Sequence, residues 1–218
     1  AVDRPSLIMY PPAWFEENRI TLLTGEKVSR LHPAANEVVL GDGRRLPYDK
    51  MIIAMGAHPF IPPFAGSTLS SVITLRTIDD ADGILRRLSS VDSCICIGGG
   101  VLGLEIAGAI AAAGVKVTVL EGSEWLMPRQ LNKAAAACLT RHLAKIGVTV
   151  LTGARTQEIT ASGETSGVLL SSGEQLAAGL VIIAAGVRPN THLARKAGLE
   201  VHNGLVVDNH MRTTDPHI

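Results

Sequence analysis

The chain has 218 residues, and its 20 Lys plus Arg balance its 20 Asp plus Glu, so the formal net charge is zero. A neutral chain lacks the long-range field that attracts nucleic acid or an anionic membrane surface, which excludes a basic binding protein. Hydrophobic residues make up 46% of the sequence and charged residues 18%, which excludes a disordered chain and favours a folded α/β protein with an aliphatic core.

The first 66 residues are predicted to contain short strands separated by turns. We predict a short helix at residues 14–18, three short strands at about 20–23, 27–31 and 37–40, and a buried strand at 51–54. The segment HPFIPPFAG, residues 58–66, contains three prolines and is expected to lack regular structure.

From residue 77 onward, helices and strands alternate. We predict helices at 77–88, 101–113 and 132–146, strands at 94–97, 115–120, 148–151 and 180–184, and a small antiparallel meander between 155 and 176. Gly114 and Gly147 end two of the helices, and the turn signals Ser162-Gly163 and Ser172-Gly173 indicate the meander. Strands that alternate with helices predict a parallel sheet built from right-handed crossovers, so a Rossmann-like domain is expected here.

One apolar stretch, residues 94–120, is long enough to span a bilayer and carries only Glu105 and Lys116 as charged residues. Three consecutive glycines near its start favour a buried strand, turn, helix and second strand instead, because buried parallel strands are near-continuous apolar runs. We therefore expect no membrane segment.

The cysteines and histidines carry no recognisable chemistry. Cys94, Cys96 and Cys138 include no C-x-x-C pair, and the seven histidines show no metal-ligand spacing. Cys94 and Cys96 alternate on a predicted buried strand, which favours small core residues over a redox pair. We expect no metal site and a reducing compartment, the cytoplasm.

The strongest chemical signal is a G-x-G-x-x-G pattern at Gly98, Gly100 and Gly103, directly after a predicted strand and at the start of a predicted helix. Gly98 permits the tight turn, Gly100 lets a pyrophosphate approach the backbone, and Gly103 lets the helix pack closely on the strand. The N–H groups that open the helix, at Val101 and Leu102, would face the phosphates.

The second half of this fingerprint is an acidic residue at the end of the next strand, and Glu121 stands directly after the run VTVL. A carboxylate there accepts hydrogen bonds from a ribose 2′-hydroxyl and repels a 2′-phosphate, which favours NADH over NADPH. The alternative is that the glycine turn only connects strand to helix and that Glu121 is a solvated strand end.

Three segments in order, YDKMIIAMGAHPFIPP, CIGGGVLGLEIAG and LVIIAAGVRPN, resemble the two-dinucleotide flavoprotein reductases of the pyridine nucleotide-disulfide oxidoreductase superfamily. The resemblance covers essentially the whole chain. Within the superfamily, the block GSEWLMPRQLN is most similar to the flavoprotein part of NAD(P)H-dependent nitrite reductase large subunits, with rubredoxin and ferredoxin reductases close behind.

The resemblance implies contacts with FAD in the parent protein. Ala54 and Gly56 match the family's A-T-G turn, which lies against the FAD, with Met55 in place of the usual Thr. Arg76 matches an arginine that these reductases often place near the flavin. As the alternative, Arg76 lies along the surface or caps a helix.

The resemblance also implies contacts at the nicotinamide end of NADH. Glu105 matches a carboxylate near the nicotinamide, and its alternative is a glutamate that pairs within its own helix. Ala185 and Gly186 match the second A-T-G motif, with Ala185 in place of Thr.

The family's domain order predicts that this chain is the middle of a longer protein. We expect a partial FAD-binding domain at 1–80, an NAD(H)-binding domain at 90–204, and a return segment into the FAD domain at 205–218. The family's N-terminal FAD fingerprint does not occur here, so we expect the chain alone to bind no FAD tightly. Unpaired strand edges in the partial domain predict some self-association, as in a homodimer.

The implied parent is a flavoprotein oxidoreductase that passes hydride from NADH to FAD and then electrons to an iron–sulfur, sirohaem or ferredoxin-type acceptor. A nitrite reductase large subunit is favoured, and a rubredoxin or ferredoxin reductase or an NADH oxidase is the alternative enzyme. The alternative from another class is a non-catalytic NAD-sensing module. Hydride transfer requires no acid–base residue, so we predict no catalytic residue, and we expect the chain alone to be inactive.

Overall fold

The computed structural model describes residues 4–162 and 165–218 of the chain. It divides into two compact units. The flanking unit consists of Ala1–Met55 and Asn190–Ile218, and the central unit consists of Gly56–Pro189.

The flanking unit contains a 3₁₀ helix at Arg4–Leu7, followed by helix α1, Pro12–Glu17, which starts two residues earlier than predicted. A proline is tolerated in the first turn because its missing N–H would have no partner there. A three-stranded antiparallel sheet follows, in the order β1 (Val28–His32), β2 (Glu37–Leu40) and β3 (Arg45–Pro47). Leu31 and Leu40 are buried in this unit.

Two strands predicted for the flanking unit are wrong. Residues 20–23 and 51–54 form no strand, and Ile52 is 93% exposed. An apolar run becomes a strand only where a neighbouring strand accepts its backbone hydrogen bonds. Within the described ranges, neither run lies beside such a neighbour. Strand β3 was not predicted from the sequence.

The central unit contains ten strands and three α-helices among its described residues. In chain order they are β4 (Ala57–Pro59), β5 (Val72–Thr74), α2 (Ile78–Leu88), β6 (Ser93–Ile97), α3 (Val101–Ala112), β7 (Lys116–Glu121), α4 (Lys133–Lys145), β8 (Val148–Thr152), β9 (Thr156–Ser162), β10 (Thr165–Leu170), β11 (Gln175–Ala178), β12 (Leu180–Ile183) and β13 (Val187–Pro189).

A five-stranded parallel sheet forms the centre of this unit, in the order β5-β12-β6-β7-β8. The chain leaves β6 through α3 to β7 on one side, whereas β12 returns to pair with β6 on the other side. This reversal of strand order creates a crevice at the carboxyl ends of β6 and β12, where ligands bind in open α/β sheets. The prediction of a Rossmann-like α/β fold is confirmed.

The predicted meander is the antiparallel sheet β11-β10-β9. Gly173, with φ of +88°, lies in the turn between β10 and β11 as predicted. Gly163, in the other predicted turn, lies outside the described residues. Strands β4 and β13 form a separate antiparallel ribbon, so the prediction that residues 58–66 lack regular structure is wrong for their first two residues.

Two apolar clusters lie on opposite faces of the parallel sheet. Because side chains alternate along a strand, Cys94 and Cys96 face α3 and α4, whereas Ile95 and Ile97 face the meander. Cys94 and Cys96 are 1% and 0% exposed and unpaired, which fits the prediction of small core residues.

The helix ends follow local sequence signals. Thr77 begins α2 with a capping box, since its hydroxyl accepts the Asp80 N–H while the Asp80 carboxylate accepts the Thr77 N–H. Asn132 caps α4, and Gly147 follows that helix with φ of +86°. Helix α5, His192–Lys196, lies in the flanking unit and was not predicted. Across 4–162 and 165–218, the helices are too short or too polar to traverse a bilayer.

Candidate functional site

An open cleft of about 730 Å³ lies at the carboxyl ends of β6 and β12, entirely within the central unit. Small-molecule sites usually occupy roughly 300–1,000 Å³, so the cleft is large enough for a dinucleotide. Its walls are the loop after β6, the start of α3, the end of β7 with the following loop, the start of β9, and the segment after β12.

Gly98 and Gly103 hold the glycine loop against the sheet. Gly98 has φ of +120°, and a β-carbon there would lie 2.4 Å from the Ala184 carbonyl oxygen. A β-carbon on Gly103 would lie 2.0 Å from the Gly98 carbonyl oxygen. Both positions therefore require glycine, Gly98 with the positive φ that suits the predicted tight turn and Gly103 with the close packing that was predicted for it.

Gly100 differs from these two glycines because a side chain added there would point into open space. It precedes α3 with φ of −82° and ψ of 177°, and no atom lies within 4 Å of an added β-carbon. The first intrahelical hydrogen bond runs from the Leu104 N–H to the Gly100 carbonyl. The N–H groups of Val101 and Leu102 thus have no acceptor within the helix, and both residues line the cleft.

Glu121 lies at the end of β7 and is held by two backbone donors. The Gly99 N–H donates to Glu121 Oε2 at 2.9 Å, and the Ser123 N–H donates to Oε1 at 2.7 Å. A β-carbon on Gly99 would lie 2.9 Å from the same carboxylate. Glu121 is thereby fixed at the wall of the cleft, close to the glycine loop.

Sequence reasoning assigned no role to Gly99 or Ser123. The only sequence signal for Gly99 is that three glycines occur in succession where the fingerprint needs two. Every residue except proline has a backbone N–H, so the sequence does not indicate that the Ser123 N–H binds Glu121. Only the folded loop reveals this contact.

The loop after β7 is anchored to the core. Leu126 is fully buried, and the Trp125 indole N–H donates to the Leu131 carbonyl at 3.0 Å. Met127 has φ of +51°, an uncommon conformation for a residue with a side chain. This loop carries Arg129 to the cleft, and Arg155, the residue directly before β9, lines the same cleft.

The structure brings most of the predicted NAD-binding residues together. Those that line the cleft are Gly98, Gly100, Val101, Leu102, Glu121, Ala185 and Gly186. Gly103 is buried beneath the loop. Glu105 is exposed on α3 and is not among the residues that line the cleft.

The residues predicted to approach FAD lie outside the cleft lining. Arg76 Nε donates to the Ala57 carbonyl at 3.0 Å, and its Nη2 lies 3.6 Å from an added β-carbon on Gly56. The Arg76 backbone N–H donates to Asp80, next to the start of α2. Ala54 belongs to the flanking unit and is exposed.

The buried thiols are chemically inert. Burial raises the pKa of Cys94 to about 12, and burial together with the neighbouring Cys94 raises the pKa of Cys96 even further. Within the described residues, no three His, Cys, Asp or Glu side chains are grouped to hold a metal ion. The described residues that line the cleft offer a ligand backbone amides and charged side chains.

Comparison with known proteins agrees with this geometry. Residues 7–218 match the family model described as pyridine nucleotide-disulphide oxidoreductase. The chain is 38% identical over 206 residues to nitrite reductase [NAD(P)H] of Bacillus subtilis strain 168, covering 94% of this chain and 26% of that protein. It is 35% identical over 209 residues to rubredoxin-NAD(+) reductase of Pseudomonas putida, and the match covers 95% of this chain and 54% of that protein.

A similar structure is the ferredoxin reductase for the CYP199A2 system of Rhodopseudomonas palustris, with a TM-score of 0.94 and 30% identity. The match covers 99% of this chain and 53% of that one. The chain thus spans about a quarter to a half of the length of these proteins.

Proposed function

The chain belongs to the pyridine nucleotide-disulphide oxidoreductase family, and on that premise we propose that it is the NADH-binding part of an FAD-dependent oxidoreductase. The observation that carries the proposal is the fixed Glu121 carboxylate beside the open Gly100 face of the glycine loop. The carboxylate suits the ribose diol of the adenosine diphosphate half of NADH, and the open face of the glycine loop suits its pyrophosphate.

Each part of the cleft has a proposed task. The backbone at Gly100 and the N–H groups of Val101 and Leu102 bind the pyrophosphate, because a helix start favours negative charge. Glu121 accepts hydrogen bonds from the adenosine ribose. Its two backbone donors leave lone pairs on the carboxylate free for the ribose, since a carboxylate offers about four acceptor positions.

The nicotinamide end is proposed to lie at the segment after β12. Ala185 and Gly186 line the cleft there. Gly186 has φ of +104°, a conformation that favours glycine, and no atom lies within 4 Å of an added β-carbon, so this position leaves open space for the ligand. NADH supplies the hydride when bound, and the residues of this chain orient the nicotinamide ring. The small residues of this segment leave the space beside the ring open. Glu105 remains a proposed neighbour of the nicotinamide in the parent protein.

We propose FAD as the cofactor of the parent protein. Ala54, Gly56 and Arg76 are the residues of this chain that would approach it. The Arg76 Nε is already bound to the Ala57 carbonyl, so its Nη groups are the donors it could offer to the flavin. A reducing compartment such as the cytoplasm suits the three unpaired cysteines.

A nitrite reductase large subunit is the proposed parent, supported by the 38% identity to the Bacillus enzyme. The second candidate is a ferredoxin or rubredoxin reductase, which is supported by the TM-score of 0.94 to the Rhodopseudomonas ferredoxin reductase. The electron acceptor distinguishes the two, because a nitrite reductase delivers electrons to its own haem and iron–sulfur centres and the other class delivers them to a separate protein.

The experiment uses the full-length parent protein reconstituted with FAD. The proposal predicts that NADH bleaches the flavin absorption and that nitrite then restores it. Reoxidation by added rubredoxin or ferredoxin but not by nitrite would support the second candidate. NADH binding without any bleaching would contradict the enzyme assignment and would favour an NAD-sensing module.

A further inference from the structure

Within the described residues, the cleft is charged at one end only. The charged side chains that line it are Glu121, Arg129 and Arg155, which come from the end of β7, the loop after it and the residue before β9. The lining around Gly186, at the proposed nicotinamide end, is uncharged: Pro62, Phe64, Ala184, Ala185 and Val187. A dihydronicotinamide ring is flat and carries no charge, so this end of the cleft suits it.

Two of these lining residues lie in segment 60–66, which is hydrogen-bonded near both of its ends. At the first end, the Phe60 N–H donates to the Gly186 carbonyl at 2.8 Å. At the other end, the Ala65 carbonyl accepts the N–H of Ile159, in β9, at 2.8 Å. The segment therefore runs from the chain that follows β12 to the meander, and neither end can move without breaking a backbone hydrogen bond.

The middle of segment 60–66 is stiff. Pro62 and Pro63 have fixed φ angles, and the Phe64 N–H donates to the Pro62 carbonyl at 2.9 Å, which closes a three-residue turn. The end of the segment packs directly on β9, because a β-carbon on Gly66 would lie 1.7 Å from the Ile159 carbonyl oxygen. The segment is therefore in place before a ligand binds, and little affinity is lost in ordering it.

Phe64 has the core behind its ring and the cleft in front of it. Its side chain is half-buried and packs against the apolar cluster between the parallel sheet and the meander, which includes Ile97, Leu120 and Ile183. Phe64 also lines the cleft. A ring that is supported in this way keeps its position when a ligand packs against it, because close-packed interiors yield little.

The sheet order places segment 60–66 away from Glu121. In the order β5-β12-β6-β7-β8, Glu121 ends β7, two strands from β12. Segment 60–66 is instead hydrogen-bonded to Gly186, which follows β12, and it leads along the chain to β5 at the edge of the sheet. The Phe64 ring therefore belongs to the end of the cleft that is proposed for the nicotinamide.

Resting on the proposed function, we propose that Phe64 is a positioning residue for the nicotinamide of NADH and that Pro62 extends the same apolar wall. The Phe64 ring supports the dihydronicotinamide and keeps water from that side of it, since aromatic and apolar surfaces gain free energy when they cover one another. The adenosine half of the ligand binds elsewhere, at Glu121 and the glycine loop. Phe64 therefore adds affinity for NADH that a ligand without the nicotinamide does not gain.

Phe60 offers a matched control within the same segment. It is half-buried like Phe64, but the Arg188 guanidinium lies 4.5 Å from the centre of its ring, and Phe60 is not among the described residues that line the cleft. Its bond to the Gly186 carbonyl uses the backbone N–H, so a substitution keeps that bond. Loss of either ring removes apolar packing, but only the loss of Phe64 is expected to affect the nicotinamide.

The test compares the dissociation constants of NADH and of ADP-ribose, which lacks the nicotinamide, for the 218-residue chain by calorimetric titration. Phe64→Ala is expected to weaken NADH binding at least about fivefold, the lower end of what removal of an aromatic ring from a bound base costs. ADP-ribose binding should change by less than about twofold, because its contacts are independent of Phe64. Phe60→Ala should leave the ratio of the two dissociation constants unchanged.

A second variant does not depend on Phe64→Ala being well folded. Phe64→Leu keeps an apolar side chain against the core and is expected to weaken NADH binding at least about twofold more than ADP-ribose binding, because the aromatic contact is lost. Equal losses for the two ligands, no loss with either, or the same selective loss in Phe60→Ala would overturn the inference. Wild-type chain that binds neither NADH nor ADP-ribose would instead overturn the proposed function.

Discussion

The Glu121 carboxylate accepts a hydrogen bond from the Gly99 N–H at 2.9 Å, although 22 residues separate them in the chain. The same carboxylate accepts the Ser123 N–H. Glu121 therefore connects the glycine loop after β6 to the loop after β7, in addition to its proposed contact with the ribose. The side chain predicted to recognise the ligand also holds the two loops that form its site.

Glu121→Ala is expected to lower the free energy of unfolding by about 1–3 kcal/mol, because the buried Gly99 N–H loses its acceptor. The matched control is Glu124→Ala in the same loop. Glu124 is 68% exposed and pairs with Lys133 on the surface, so its removal should change stability by less than about 1 kcal/mol. Urea unfolding measures both, and equal losses would contradict the connecting role of Glu121.

Two glycines of the fingerprint are expected to respond differently to alanine. Gly103→Ala places a β-carbon 2.0 Å from the Gly98 carbonyl oxygen and should destabilise the chain by about 3 kcal/mol or more. Gly100→Ala meets no atom within 4 Å and should leave stability unchanged within about 0.5 kcal/mol.

The same Gly100→Ala variant tests where the pyrophosphate of NADH binds. Its methyl group points into the open space proposed for the pyrophosphate, so NADH affinity should fall at least about tenfold while the melting temperature is kept. Thermal unfolding and calorimetric titration on one preparation separate the two effects. Unchanged NADH affinity would show that the pyrophosphate lies elsewhere.

The cysteines should differ in reactivity. A thiol reagent at pH 8 is expected to modify Cys138 alone in the native chain and all three cysteines after denaturation, because Cys94 and Cys96 are buried. Fast labelling of more than one thiol in the native chain would contradict the buried placement of β6.

The same burial predicts a pH dependence of stability. The pKa of the Cys94 thiol is raised from 9.0 to about 12 in the folded chain, so the unfolded chain loses its thiol proton first as the pH rises. This contribution to the free energy of unfolding is fully present below pH 9 and decreases between about pH 9 and 12. Cys94→Ala should lessen that decrease in a pH series of urea unfolding curves.

Thr156→Val is expected to stabilise the chain by about 1 kcal/mol. The Thr156 hydroxyl is buried and has no hydrogen-bond partner within the described residues, and valine keeps the shape while removing the unsatisfied group. The contrasting variant is Thr77→Ala, which removes a hydroxyl that caps α2 and should cost about 1 kcal/mol. A destabilised Thr156→Val would show that the hydroxyl has a partner in solution.

Much of the central unit could be predicted because its signals are local. The glycine pattern, the apolar runs of β6, β7 and β12, and the Asn132 and Gly147 signals of α4 each lie within a few residues. Glu121 was predicted from its position after a strand. Gly100 was predicted from the fingerprint alone.

The remaining features depend on contacts between distant segments. Arg155 reaches the cleft because Gly153 and Ala154, between β8 and β9, donate hydrogen bonds to the end of β7 and the loop after it. The runs at 20–23 and 51–54 have strand composition, but composition does not supply the neighbouring strand that a ladder requires. Strand β5 was missed because three residues carry too little periodicity to detect.

A calorimetric titration of the wild-type chain with NADH and, separately, with NADPH tests the assignment of the cleft most directly. We predict saturable binding of one NADH per chain, at least about tenfold tighter than NADPH, because Glu121 accepts the ribose hydroxyls and repels a 2′-phosphate. Absence of heat with either dinucleotide, from a chain that unfolds cooperatively in the same buffer, would contradict the assignment of the cleft as an NADH site.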